Sequence, residues 1–178
     1  MDIEIRELKE VDLVPDLLEY FNRYQKILNV WRKIDDKKLL IKNPFIENWD
    51  NELKREIVNE DFINCINSGG IVFGMFYNDN LIAFASLLHN FFGSQNQYVQ
   101  LMQLHISSEY RRLGLGKRLF TLCVKKAKEW GAKKLYMSGH PAEETQQFYI
   151  AAGCVDAKEI NDEIANHEPF DIQLEYKI

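Results

Sequence analysis

The chain has 178 residues, 46% of them hydrophobic and 28% charged, with a formal net charge of −5. That size and balance suit one globular domain over residues 1–178, and sparse glycine (9) and proline (4) leave no long flexible linker. The acidic balance argues against a nucleic-acid binder. The charged, alternating start argues against a signal peptide. No apolar run approaches the ~20 residues of a membrane span, so a soluble, cytoplasmic protein without a membrane partner is expected.

Ile3 and Ile5 alternate with Glu4 and Arg6 and predict a short first strand. Val11, Val14, Leu17, Leu18, Phe21 and Tyr24 recur at three- and four-residue steps, which predicts an amphipathic helix with Pro15 near its start. Residues 26–46 carry no clear period. A helix is predicted over 51–67, ended by Gly69 and Gly70. Strands over 71–77 and 81–88, joined by Asn78-Asp79-Asn80, form a hairpin, and 98–106 is a third strand of this group. Further on, a helix over 115–130, a short strand over 135–137, a helix over 143–152 and a last strand over 171–178 complete the order. These elements imply an α/β fold of the mixed α+β kind. Its central, mostly antiparallel twisted sheet would have six to seven strands, with helices on both faces.

Cys65, Cys123 and Cys154 are odd in number and widely spaced, so they read as reduced, buried thiols. No spacing of cysteine and histidine suggests a metal, and none is expected.

The chemistry concentrates in the stretch from Leu104 to Leu119. A strand ends at Ile106, a polar loop follows, and Gly114 and Gly116 lead into a helix. Glycines permit positive φ and close approach of a ligand. The first N–H groups of a helix lack internal partners and sit at the positive end of its dipole, which suits phosphate oxygens. Arg111, Arg112, Lys117 and Arg118 add positive charge. A Walker A loop would need Ser or Thr where Arg118 stands, and a Rossmann loop a small residue where Leu119 stands.

Arg111-x-x-Gly114-x-Gly116 resembles the Gln/Arg-x-x-Gly-x-Gly/Ala signature of the GNAT superfamily of acetyl-CoA-dependent N-acetyltransferases. A second stretch, Thr145-Gln-Gln-Phe148-Tyr149-Ile-Ala-Ala-Gly153-Cys154, resembles a helix motif of the same family. The likeness covers about residues 70–156 well and the first 69 poorly. It implies a GNAT-like fold and transfer of an acetyl group from acetyl-CoA to an amine-bearing acceptor by direct attack. The cofactor's pyrophosphate would lie on the backbone amides of Arg112, Leu113, Gly114, Leu115, Gly116 and Lys117. Arg111 would shape the loop or touch phosphate. The pantetheine arm would pair with Leu104, His105 and Ile106, and Tyr149 would be the general acid. The family's final strands often support dimers, so a monomer or homodimer is expected.

The general base stays open among His105, His140, Glu109 and a water chain, because Gln100 and Met102 stand where some members carry a carboxylate or histidine. Ala142 stands where asparagine is common. Residues 24–50, 89–98 and 161–169 would bind the acceptor, and Tyr24, Trp31, Phe45 and Trp49 with Asp35, Asp36, Glu47 and Asp50 suit a cationic amine. A non-catalytic acyl-CoA-binding module would keep the loop and need not keep Tyr149. Nucleic-acid binding through the loop's basic residues is opposed by the glycines and the net charge.

Overall fold

The computed structural model describes residues 1–35 and 37–178. Asp36, one of the acids expected near the acceptor, lies outside the described residues. One seven-stranded sheet has the order β1 (Glu4–Leu8), β4 (Ile71–Tyr77), β5 (Asn80–Leu87), β6 (Tyr98–Ile106), β7 (Lys134–Gly139), β9 (Ile172–Lys177) and β8 (Val155–Asp156). Every neighbouring pair is antiparallel except β6–β7. The expected hairpin is present, and Asn78 (φ 48°) and Asp79 (φ 62°) take the paired left-handed conformations of a tight two-residue turn.

Helices cover both faces, which is why β4 and β5 are near-continuous buried runs rather than alternating ones. On one face α3 (Leu115–Glu129) presses Leu115, Leu119, Phe120, Cys123 and Ala127 onto Met75, Ala83, Leu101 and Leu135, joined by α4 (Glu143–Ala151) through Tyr149. The other face is covered by one helical stretch: α1 (Asn51–Glu56), a π-helical segment (Ile57–Phe62) and α2 (Ile63–Asn67). It buries Ile57, Val58, Phe62 and Cys65 against Val72, Phe76 and Phe84. All three cysteines are free and buried.

One expectation needs correction. No α-helix forms over 11–24. A 3-10 turn spans Glu10–Asp12, and turns follow with three-residue bonds from Leu17 N to Val14 O, Glu19 N to Asp16 O and Phe21 N to Leu18 O. Pro15 lacks an N–H and disfavours helical geometry at Val14. Leu18 and Phe21 are buried, whereas Val11 and Val14 are exposed. The unread segment 26–46 is a second, two-stranded sheet, β2 (Gln25–Ile34) with β3 (Lys37–Glu47). Its register shifts between Ile27 and Asn29, opposite Asn43-Pro44, so Ile27 and Val30 both point inward despite their odd spacing.

This hairpin docks on the turn between β7 and α4. Val30 bridges Ala142, Trp31 N donates to Pro141 O at 2.8 Å, and Asn29 Nδ2 donates to Glu143 Oε2 at 2.8 Å. Ala142 is buried beneath Val30, so the site of a common family asparagine serves here as a seat for the hairpin. A short helix, α5 (Asp162–His167), lies between β8 and β9. Among the described residues no helix is long and apolar enough to cross a membrane.

Candidate active site

β6 and β7 run together for only three residue pairs, Tyr98–Lys134 to Gln100–Tyr136. Beyond Gln100, β7 continues with β9 while β6 follows β5, its register shifted at Ser86/Leu87. Residues 101–106 therefore keep an unladdered backbone edge on the β7 side. The split opens a cleft of about 1030 Å³, at the upper end of ordinary ligand pockets.

At the end of β6 the chain makes a 3-10 turn over Ser108–Tyr110 and bends back. Arg111 fixes the bend: Nε donates to Ile106 O at 3.1 Å and a terminal nitrogen to Arg23 O at 3.2 Å. Arg112 (φ 64°) and Gly114 (φ 79°) are left-handed. A Cβ on Gly114 would meet nothing within 4 Å, so its backbone angle, not space, calls for glycine. A Cβ on Gly116 would come within 3.1 Å of Phe148 Cε2, so there glycine allows α3 to seat against α4. No side chain caps α3, leaving the N–H groups of Leu115, Gly116 and Lys117 at the positive end of a 15-residue helix.

The cleft lining takes in Leu104, His105, Ile106, Arg111, Gly116 and Tyr149. Arg112, Leu113, Gly114, Leu115 and Lys117 form the adjoining loop and helix start; all but Leu115 are exposed. The two motifs recognised in the sequence thus meet at one opening.

Tyr149 is 8% exposed, and burial raises its phenol above the usual range, with Cys154 and Asp171 adding to the rise. Its hydroxyl has no hydrogen-bond partner among the described residues. Asp171, just before β9, also lines the cleft and accepts from Ser138 Oγ at 3.4 Å. Burial pushes its carboxyl up to about 6, moderated by His140 and reinforced by Glu168.

The opposite wall comes from the end of β3 and the residues just before β2. Arg23, itself buried, donates to Glu47 Oε2 at 2.5 Å and to Gln25 Oε1 at 2.8 Å. Glu47 Oε1 lies 3.2 Å from His140 Nε2. His140 Nδ1 accepts from Ala142 N at 3.1 Å, which leaves the ring proton on Nε2 facing Glu47. That bond, ahead of Arg23, holds the Glu47 carboxyl below its usual range.

The three candidate bases fare differently. His140 has both nitrogens engaged. His105 sits edge-on to Trp49 at 4.8 Å, and burial, then Arg23, lowers its imidazole to about 3. Glu109 accepts from Asn22 Nδ2 and Ser107 Oγ outside the cleft lining. Of the expected acceptor group, Glu47 and Trp49 line the cleft and Phe45 packs against His140 at 6.2 Å. Tyr24, Trp31, Asp35 and Asp50 do not line it, and Asp50 instead caps α1 by accepting from Leu53 N at 2.8 Å. Residues 89–98 contribute Asn90 and Phe92 to the lining, and 161–169 contribute Asn161, Glu163, Ile164, His167 and Glu168.

The sequence reading missed Asp61, Gln103 and Asp171. Asp171 precedes a recognised strand without any motif around it. Asp61 lies on a helix whose apolar face was legible but whose π geometry was not.

The sequence model of the Acetyltransferase (GNAT) family matches residues 34–153. No curated protein sequence matches the chain. Among solved structures, a protein from Bacillus anthracis str. Ames provisionally assigned as a streptothricin acetyltransferase, in complex with acetyl coenzyme A, superposes with a TM-score of 0.74 at 19% identity, covering 100% of this chain and 99% of that one. A nourseothricin acetyltransferase gives 0.71 at 14% identity, with 99% of each chain covered. The PaiA N-acetyltransferase of Thermoplasma acidophilum, in complex with coenzyme A, gives 0.59 at 17% identity, with 100% of each covered. At these identities the likeness is one of fold.

Proposed function

The chain belongs to the Acetyltransferase (GNAT) family, and on that premise we propose that it is a cytoplasmic enzyme moving an acetyl group from acetyl-CoA to a primary amine, by direct attack within a ternary complex. The observation that carries this is the unladdered edge of β6 beside the uncapped start of α3. One offers strand-like pairing to an amide-bearing arm, and the other offers N–H groups to phosphate.

In this reading the amides of Arg112, Leu113, Gly114, Leu115, Gly116 and Lys117 hold the pyrophosphate. Arg111 is occupied with two carbonyls and shapes the loop. The arm pairs with Leu104, His105 and Ile106, which brings the thioester into the split. The neutral amine nitrogen attacks the thioester carbonyl carbon, and the carbon–sulfur bond breaks. Tyr149 gives its hydroxyl proton to the departing sulfur, and its lack of a protein partner leaves that proton available.

The amine's proton goes to Asp171. A carboxyl near 6 is closer to an effective base at neutral pH than His105 near 3. Asp171 and Tyr149 line the same cleft, and in this reading they serve one reaction centre as base and acid. The protein's oligomeric form in this proposal is a monomer or homodimer. A non-catalytic binding module would have no use for an unbonded tyrosine hydroxyl in the split.

Calorimetric titration with acetyl-CoA tests the reading, alongside Gly114→Glu, which places a side chain and a negative charge in the loop. Micromolar binding lost in the variant is the expected result. A folded wild type that does not bind acetyl-CoA overturns it. Thiol release across an amine panel then tests transfer, and the Bacillus anthracis neighbour named for streptothricin makes that compound a natural member of the panel.

A further inference from the structure

Six carboxylates line the cleft: Glu47, Asp61, Glu144, Glu163, Glu168 and Asp171. Against them stand two guanidiniums, Arg23 and Arg111, and among the described lining residues there is no lysine. Neither arginine balances the excess. Arg23 pairs with Glu47, and Arg111 donates to backbone carbonyls.

One of these carboxylates stands in a built setting away from the reacting groups. Asp61 is half-buried on the π-helical segment, and its Oδ2 accepts from Gln103 Nε2 at 2.7 Å. Gln103 is itself held from behind, its Oε1 accepting from the fully buried Ser86 Oγ at 3.4 Å. A single widened turn within a helix is uncommon and recurs at functional sites. No cation pairs with Asp61 among the described residues. Its charged neighbours are Glu56 and Glu60, which oppose its ionisation, and His167 at the end of α5. A carboxylate removed from water with one neutral donor is poorly compensated, and an ammonium entering the cleft would supply the missing counter-charge.

We propose that the acceptor is a di- or polyamine, whose non-reacting ammonium group is held by Asp61, steadied by Gln103, while a second amine is acetylated. This rests on the acetyltransferase reading and narrows it from any primary amine to one bearing a second cation. No bond is made or broken at Asp61. It is a specificity site, and Glu163 on α5 with Glu168 just after it, both lining the cleft, adds further negative potential.

The test uses two probes of matched length, 1,5-diaminopentane and 1-aminopentane, with wild type and Asp61→Asn. A charge-assisted bond to one ammonium should favour the diamine in kcat/KM by about ten- to a hundredfold. Asp61→Asn should collapse that ratio toward one, mainly through KM, while still binding acetyl-CoA. Separately, spermidine is titrated into the cofactor-free protein, where binding should weaken about tenfold or more in Asp61→Asn. Equal use of both probes by an active wild type, or a ratio untouched by Asp61→Asn, overturns the inference and leaves the acetyltransferase reading intact. Spermidine binding that depends on Asp61 in a protein unable to bind acetyl-CoA supports the cation site and sinks the transferase reading instead. A wild type that neither binds nor acetylates any diamine also overturns the inference.

Discussion

Glu47 and His140 come from segments far apart in sequence, yet His140 Nε2 lies 3.2 Å from Glu47 Oε1. The other carboxylate oxygen receives buried Arg23. This contact ties the β2–β3 hairpin to the end of β7, while the other ring nitrogen, Nδ1, accepts from Ala142 N.

Glu47→Gln would keep the shape and remove the charge facing Arg23. Leaving a buried guanidinium without its partner should cost about 2 kcal/mol, the lower end for a pair whose acid is partly exposed. Urea unfolding at pH 7.5 measures it. A loss below a few tenths of a kcal/mol would mean that the pair is not a structural tie.

Tyr149→Phe removes only a hydroxyl that has no protein partner. Stability should be unchanged, and kcat should fall about a hundredfold, as expected for loss of a general acid. The KM for acetyl-CoA should hold. Steady-state thiol release and a melting curve together separate this from a packing role, which would lower stability and leave kcat near wild type.

Asp171 predicts a pH dependence. If its carboxyl near 6 takes the amine's proton, kcat/KM should fall as pH drops through about 6. Asp171→Asn should lose activity and that limb of the profile together. The same substitution should stabilise the fold. Unfolded, the acid ionises near 3.8, but folded only near 6, so the penalty of charging it is absent below about pH 3 and complete above about pH 7. The gain, about 1 kcal/mol after allowing for partial exposure, should appear in urea unfolding at pH 8 and vanish at about pH 3.

His105 runs the other way. Its imidazole would gain a proton near 6.5 when unfolded but only near 3 when folded. Between those values the unfolded chain binds more protons, so stability drains away as pH falls below 6.5. His105→Phe should flatten that decline by about 1–2 kcal/mol at pH 5 relative to pH 7.5. Parallel slopes for the two proteins would show that the ring is less enclosed than described.

The loop and Tyr149 were legible because their chemistry is local. Glycines, a strand end and a helix start adjoin in the chain, and a second motif supplied the phenol. The hairpin was not legible, since the bulge between Ile27 and Asn29 erases the two-residue period by which a strand is read. The expected helix over 11–24 had an apolar stripe but also Pro15, and two anchors, Leu18 and Phe21, satisfied the core without regular structure. Asp61 and Asp171 gain their surroundings only from residues distant in sequence, Gln103 for one and Ser138 and His140 for the other. No spacing rule along the chain encodes such neighbours.

The hairpin's own core holds just three buried residues, Ile27, Val30 and Ala142, with Phe45 beside them, and it forms a sheet apart from the seven-stranded one. Changes there disturb little of the main fold. Lineages descended from a protein built this way can reshape the hairpin around Val30 while the loop before α3 stays under separate selection. Divergence in what is recognised is then expected to outpace divergence in how the donor is held.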